Sequence, residues 1–229
     1  MNIIWLGHGS FRIEIEDQVL LIDPWLTGNP MLPEDQHERA VQGASHILIT
    51  HGHFDHTADL VSLSKSLNAP AVGIFDFMGF FEANHELSVI GFNIGGTVQL
   101  GKVSVSLVPA MHSTSYAGDA TAAVGREAGF IIQGEGHSIY VSGDTGIMAD
   151  MDWIADYYKP DIGILSAGGH FTMDMKGAAY AARRYFDFKT VIPCHYKTFE
   201  LLEQSAQELV DGLPSVTVIE PEVMETITI

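Results

Sequence analysis

Residues 49–60 read ITHGHFDHTADL and place His51, His53, Asp55 and His56 within six positions. They follow an apolar run, SHILIT, of a length suited to one strand. Alternate side chains of an extended segment share a face, so His51 and His53 can bind one ion together. Asp55 and His56 fall where the chain turns into the next helix and can reach a second ion. Neutral imidazole and carboxylate are the usual ligands of catalytic zinc. The plainer alternative is a polar loop with surplus histidines.

The same residue types recur along the chain. Asp23 follows QVLLI, His112 follows VSLVPAM, Asp144 follows SIYVSG, His170 follows ILSAGG and His195 follows TVIPC. Ligands of open α/β structures gather beyond the carboxyl ends of strands. One such residue is ordinary loop chemistry, whereas six elements ending in Asp or His argue for a common site. Two cations held there can generate a hydroxide near neutral pH and stabilise the oxyanion formed on attack at an ester, lactone, amide or phosphodiester. No serine or cysteine nucleophile is needed for that chemistry, and no triad stands out.

The elements that must position these residues are legible in part. NIIWL (2–6), FRIEIE (11–16) and QVLLID (18–23) read as three strands, with Phe11, Ile13 and Ile15 alternating with Arg12, Glu14 and Glu16. A long loop with a short helix at Glu34–Val41 follows. SHILIT, APAVGI, TVQL, KVSVSLVPA, GFIIQ, SIYVSGD, DIGILSA, TVIPCH, SVTVIE and METITI are further strands. Helices are expected at TADLVSLSKSL (57–67), FDFMGFFEANHEL, IMADMDWIADYY, MKGAAYAARRYF and FELLEQSAQELVDGL, with Pro160 closing the third. Each half begins with hairpin strands and continues in strand–helix alternation. That doubling predicts two sheets, each covered by helices, facing one another.

HGHFDH resembles the H-x-H-x-D-H signature of the metallo-β-lactamase superfamily. LLIDPW, YVSGDTG and the separate His112 and His195 match its remaining motifs in order. WLGHGSF, GGHFTMD and PCHYKTF are similar to a branch of lactonase-like and phospholipase-like metal-dependent hydrolases. The resemblance covers nearly the whole chain and implies a four-layer αββα sandwich of two mixed sheets, one domain over 1–229. It implies one metal on His51, His53 and His112, a second on Asp55, His56 and His195, and Asp144 bridging both. Asp55 would also orient the attacking hydroxide. Asp23 would hydrogen-bond a ligand histidine and fix its tautomer, with His8 in a comparable supporting place. His170 and Lys197 are the expected substrate contacts. The cofactors implied are two divalent ions, zinc first, with Mn²⁺, Fe²⁺ or Ni²⁺ as alternatives.

Composition narrows the class. The chain has 229 residues, 46% of them apolar, enough for a large core. Its formal charge of −18 argues against bare nucleic acid or anionic membrane as a partner. One cysteine, Cys194, excludes an internal disulfide; as a strand residue beside a ligand position it is expected to be buried packing rather than a sulfur ligand. No apolar run is long enough to span a membrane, and no secretory leader is evident, so a cytoplasmic location is expected, with a homo-oligomer possible. The leading function is hydrolysis of a small anionic or polar metabolite. The rivals are a di-iron redox protein of the same fold, a nucleic-acid-processing relative and a non-catalytic member. His53 stands where the redox relatives carry Glu, and no flavin domain accompanies the chain.

Overall fold

The computed structural model describes residues 1–116 and 124–229. Strands β1 (Asn2–Trp5), β2 (Phe11–Ile15) and β3 (Gln18–Ile22) open the chain, and helix α1 (His37–Val41) follows a 3₁₀ turn at Glu34–Gln36. Next come β4 (His46–Ile49), α2 (Phe54–Thr57), α3 (Leu60–Leu67), β5 (Ala71–Ile74), α4 (Phe75–His85) and β6 (Val89–Phe92). The second half runs β7 (Thr97–Leu100), β8 (Val103–Pro109), β9 (Ala128–Gly134), β10 (His137–Val141), α5 (Met151–Tyr158), β11 (Ile162–Ser166), α6 (Met175–Tyr185), β12 (Thr190–Cys194) and α7 (Gln207–Gly212). Strands β13 (Thr217–Val218) and β14 (Thr226–Thr228) end it.

The strands form two seven-stranded sheets, ordered β14-β1-β2-β3-β4-β5-β6 and β13-β12-β11-β10-β9-β8-β7. In each, an antiparallel meander passes into parallel strands joined by crossovers. The expected doubling is therefore real, with one exchange: β14 crosses back to pair with β1, Asn2 opposite Thr228. That pairing satisfies the backbone groups along an otherwise open edge.

Period-two alternation sorts the first sheet's side chains into two cores. Ile3, Trp5, Phe11, Ile13, Leu20 and Ile22 pack inward against Val105, Leu107, Phe130, Ile132 and Ile139 of the second sheet. Ile4, Leu21, Ile47 and Ile49 face outward onto Ala40 and Val41 of α1, Leu60 and Leu63 of α3, and Phe77, Met78 and Phe81 of α4. Met151, Ile154, Met175, Ala178 and Leu209 bring α5, α6 and α7 onto the second sheet. The result is an αββα sandwich.

Arg12 departs from its expected half-exposed strand face, being only 8% exposed. It is covered by α1, whose end it binds by donating to the Ala40 and Gln42 carbonyls at 3.3 and 2.7 Å, groups that a helix terminus leaves without intrahelical donors. The helix expected from Phe199 is confined to Gln207–Gly212. Gln204 Nε2 instead donates to the Phe199 and Leu202 carbonyls at 2.9 and 2.7 Å, and Glu203 is tied to Gly168 and Lys197 through the backbone. Tertiary bonds thus hold this stretch as a loop against local helix propensity. No helix among the described residues is long and apolar enough to cross a membrane.

Candidate metal centre

The site lies where strands from both sheets end. His8 follows β1, Asp23 follows β3, His51 follows β4, His112 follows β8, Asp144 follows β10 and His195 follows β12. His8, Asp23 and His195 adopt left-handed backbone, with φ of 52°, 45° and 60°. Asp and His tolerate this region better than most residues, and it turns each side chain sharply out of its strand. The turn at His195 is stitched to the first sheet by its own N–H, which donates to the His8 carbonyl at 2.9 Å.

Donor atoms of His51, His53 and His112 form one cluster, and those of Asp55, His56, Asp144 and His195 form another. His51 Nε2 and His53 Nδ1 are 2.9 Å apart. Asp144 Oδ2 stands between the clusters, 3.0 Å from His195 Nε2, 3.5 Å from His56 Nε2 and 3.6 Å from His112 Nε2. The grouping is the one the resemblance implies, with the Asp144 carboxylate facing both sets.

Asp23 orders two of these histidines. Its Oδ2 accepts from His56 Nδ1 at 2.8 Å and from the Thr50 hydroxyl at 2.6 Å, and its Oδ1 accepts from the Thr50 N–H at 2.8 Å. Because the Thr50 hydroxyl donates to Asp23, it accepts from His51 Nδ1, 3.0 Å away. Both Nδ1–H groups are thereby anchored and each Nε2 is turned toward the site, so in the neutral imidazole the lone pair falls on Nε2. His56 Nε2 is buried and has no hydrogen-bond partner among the described residues, so a metal could take the place of its proton. His8 bridges elsewhere: its Nε2 donates to Asp55 Oδ2 at 2.8 Å, and its Nδ1 takes the Thr198 hydroxyl at 2.8 Å.

The electrostatics agree. Asp23, Asp55 and Asp144 are all buried, and among the described residues the ion-pairing partners of Asp55 and Asp144 are histidines, not lysine or arginine. Buried carboxylates need compensating charge. Burial works against the charged form of His195, but Asp144 and Asp55 outweigh it and raise its pKa to about 9. Burial likewise opposes charge on His56, and Asp144, Asp23 and Asp55 together lift its pKa well above the usual value. Burial is the leading cause that lowers His51, His53 and His112, and it takes His8 down to about 4, a neutral hydrogen-bonding imidazole. Protons on His56 and His195 thus supply the positive charge that a divalent cation would supply on displacing them. The donor set of five imidazoles and two carboxylates fits such cations.

A cleft of about 680 Å³ opens above the cluster, lined by His8, His53, Asp55, His112, Asp144 and His195 at its floor and by Phe54, Phe171, Phe199, Ser113 and Ser115 beyond. The two expected substrate contacts lie outside it. His170 is exposed, with its ring against that of Phe171, and Phe171 takes the place in the cleft. Lys197 stands over the Tyr196 ring and reaches Glu220 at 3.5 Å, because its left-handed backbone (φ 65°) turns it away from the His195 side. Phe54, Phe171, Phe199 and the two serines escape sequence reasoning. The only cue is adjacency, since Phe54 sits inside HGHFDH, Ser113 follows His112 and Phe199 closes PCHYKTF. Cys194 is buried in the core with its thiol pKa pushed up by burial, away from a role as a thiolate ligand.

The family model described as Beta-lactamase superfamily domain matches residues 18–196. A UPF0173 metal-dependent hydrolase of Roseobacter denitrificans is 79% identical over 227 residues, covering 99% of both chains. Igni18, a metallo hydrolase of the archaeon Ignicoccus hospitalis, superposes with a TM-score of 0.86 at 30% identity, over 100% of this chain and 97% of its own. CmlA, a diiron β-hydroxylase of Streptomyces venezuelae, superposes with a TM-score of 0.72 at 13% identity, over 100% of this chain and 54% of that one; this last likeness is one of fold alone. The chain belongs to the metallo-β-lactamase superfamily and, within it, to the UPF0173 metal-dependent hydrolase family.

Removing the Asp23 carboxylate tests the tautomer arrangement. Asp23→Ala frees His56 Nδ1 and Thr50 at once and is expected to weaken metal binding about 10–100-fold, the usual cost of losing a partner behind a ligand histidine. Metal titration of the purified variant followed by elemental analysis measures this. An affinity unchanged from wild type would show that Asp23 does not set the ligand tautomers.

Proposed function

We propose that this protein is a hydrolase that holds up to two divalent cations, zinc foremost, and cleaves an ester, lactone or phosphodiester bond of a small molecule. His51, His53 and His112 would hold one cation, Asp55, His56 and His195 the other, with Asp144 shared. The observation that carries the reading is the set of buried carboxylates faced by imidazoles without lysine or arginine, at the floor of an open cleft. When bound, such cations lower the pKa of water and offset negative charge developing on the substrate oxygen.

The chain's own residues do the positioning. Asp23 and Thr50 hold the lone pairs of His51 and His56 toward the site, and His8 holds Asp55 Oδ2. Asp55 reaches the cleft, where its carboxylate is placed to orient an attacking water. The low pKa of Asp55, set by neighbouring His56, His195 and His8 against the opposing effect of burial, keeps it a hydrogen-bond acceptor. The chelator-stripped protein is expected to hydrolyse no member of a panel of lactones, phosphodiesters and carboxylic esters. Resupply of Zn²⁺ or Mn²⁺ should restore turnover of at least one, in proportion to metal bound. A refolded chain with no metal affinity, or full turnover without metal, would sink the reading.

A further inference from the structure

The cleft has two chemically distinct ends. The acidic residues that line it, Asp55 and Asp144, belong to the candidate metal centre, as does His195, and no lysine or arginine lines it among the described residues. Residues 117–123 contain neither type. Away from the floor the walls are Phe54, Phe171 and Phe199 with the hydroxyls of Ser113 and Ser115. These aromatics come from three separate segments, and Phe54 and Phe171 remain 59% and 52% exposed. Apolar surface left open beside a cavity is the mark of a binding site.

The aromatic wall is braced. Trp25, buried in the loop after β3, meets Phe54 edge-on at 5.5 Å and lies 6.2 Å from Phe199. That loop is pinned by Asp59, which accepts from the Leu26 and Thr27 backbones at 2.6 and 2.8 Å and from the Thr27 hydroxyl at 2.7 Å. Edge-to-face packing fixes ring orientation as well as position, and it holds Phe54 on Trp25 and Phe199 on His8, with Phe199 tilted at 32° to Trp25.

We infer that the part of the substrate distal to the scissile bond is an uncharged apolar group, an aryl or branched acyl substituent, seated on Phe54, Phe171 and Phe199. This rests on the hydrolase reading above and replaces the expectation of a small anionic or polar metabolite with His170 and Lys197 as its contacts. An anion at the distal end would be desolvated against three phenyl rings with no cation to receive it. Ser113 and Ser115 accommodate one polar atom of an otherwise apolar group.

The test holds the metal-binding head constant and varies the far end. Butanohydroxamic acid, 3-phenylpropanohydroxamic acid and the monohydroxamic acid of succinate share a two-methylene spacer and differ in carrying a methyl, a phenyl or a carboxylate at its end. Dissociation constants are measured by calorimetry on the metal-loaded full chain. The phenyl probe is expected to bind at least about tenfold tighter than the methyl probe, from burial of the ring, and the carboxylate probe no tighter than methyl. Phe54→Ala and Phe171→Ala replace half-exposed side chains and should keep the fold and metal content, which elemental analysis checks. Each should narrow the phenyl-to-methyl gap by about threefold or more. A carboxylate probe that matches the phenyl probe, or a gap that survives both substitutions, overturns the inference. If no hydroxamate binds a demonstrably metal-loaded chain, this inference fails, whereas the hydrolase reading fails separately, on the absence of metal affinity or on full turnover without metal.

Discussion

Asp144→Ala is expected to lose metal from both clusters and to lower kcat/KM by far more than the roughly 10–100-fold that follows loss of a supporting partner. The Asp144 carboxylate is buried and faces His195, His56 and His112 from one oxygen, so its removal takes negative charge from both cation positions. It also leaves five imidazoles in mutual contact, three with pKa values already lowered by burial. His170→Ala is the informative comparison, since that exposed residue lies off the cleft. Its activity and metal content should stay within about twofold of wild type, as for ordinary surface changes. Elemental analysis and steady-state kinetics on both variants decide the matter. Metal lost from His170→Ala and retained in Asp144→Ala would reverse the assignment.

Gly168→Ala is expected to break the site without replacing any of the clustered residues. A Cβ at position 168 would fall far inside contact distance of the His195 carbonyl oxygen and 3.1 Å from His195 Nδ1. The His195 turn has little room to yield, because its N–H is bound to the His8 carbonyl and the preceding Cys194 carbonyl accepts from Ala167. Overpacking of this kind costs about 1–3 kcal/mol and sometimes more. Displacement of His195 should lower metal affinity in the same variant. Gly79→Ala provides the contrast, since that glycine is inside α4 and an added Cβ meets nothing within 4 Å. Relief of the glycine entropy cost should stabilise the fold by about 0.5–1 kcal/mol. Chemical denaturation of the two variants, with metal titration, measures both effects. A Gly168→Ala protein as stable and as metal-avid as wild type would show that the close approach to His195 is not needed.

Much of this molecule is determined locally. Period-two alternation in FRIEIE and the apolar runs at 45–50 and 161–167 specify strands because side chains on a pleated ribbon must choose between two faces. The residues that end those strands, Asp23, His51, His112, Asp144 and His195, were legible as one set for the same reason: parallel and antiparallel strands of a sandwich deliver their ends to a common edge. HGHFDH carried four of the clustered donors within six residues. What the sequence left open depends on partners distant along the chain. Residues 199–206 have an amphipathic pattern suited to a helix, yet the Glu203 N–H donating to the Gly168 carbonyl, with the Gln204 amide donating to the Phe199 and Leu202 carbonyls, holds them as a loop. The return of β14 to β1 joins residues 226 positions apart and has no local signature. Lys197 follows the clustered His195 by two residues, but a left-handed backbone and Glu220 carry it away from the cleft. The cleft wall was likewise decided in three dimensions. Nothing in the spacing of Phe54, Phe171 and Phe199 relates them, and only the packing of the loops around Trp25 and beyond β11 and β12 brings their rings to one cavity. Strand ends converge by geometry that alternation encodes, whereas the loops between them take positions set by long-range contacts that no local pattern records.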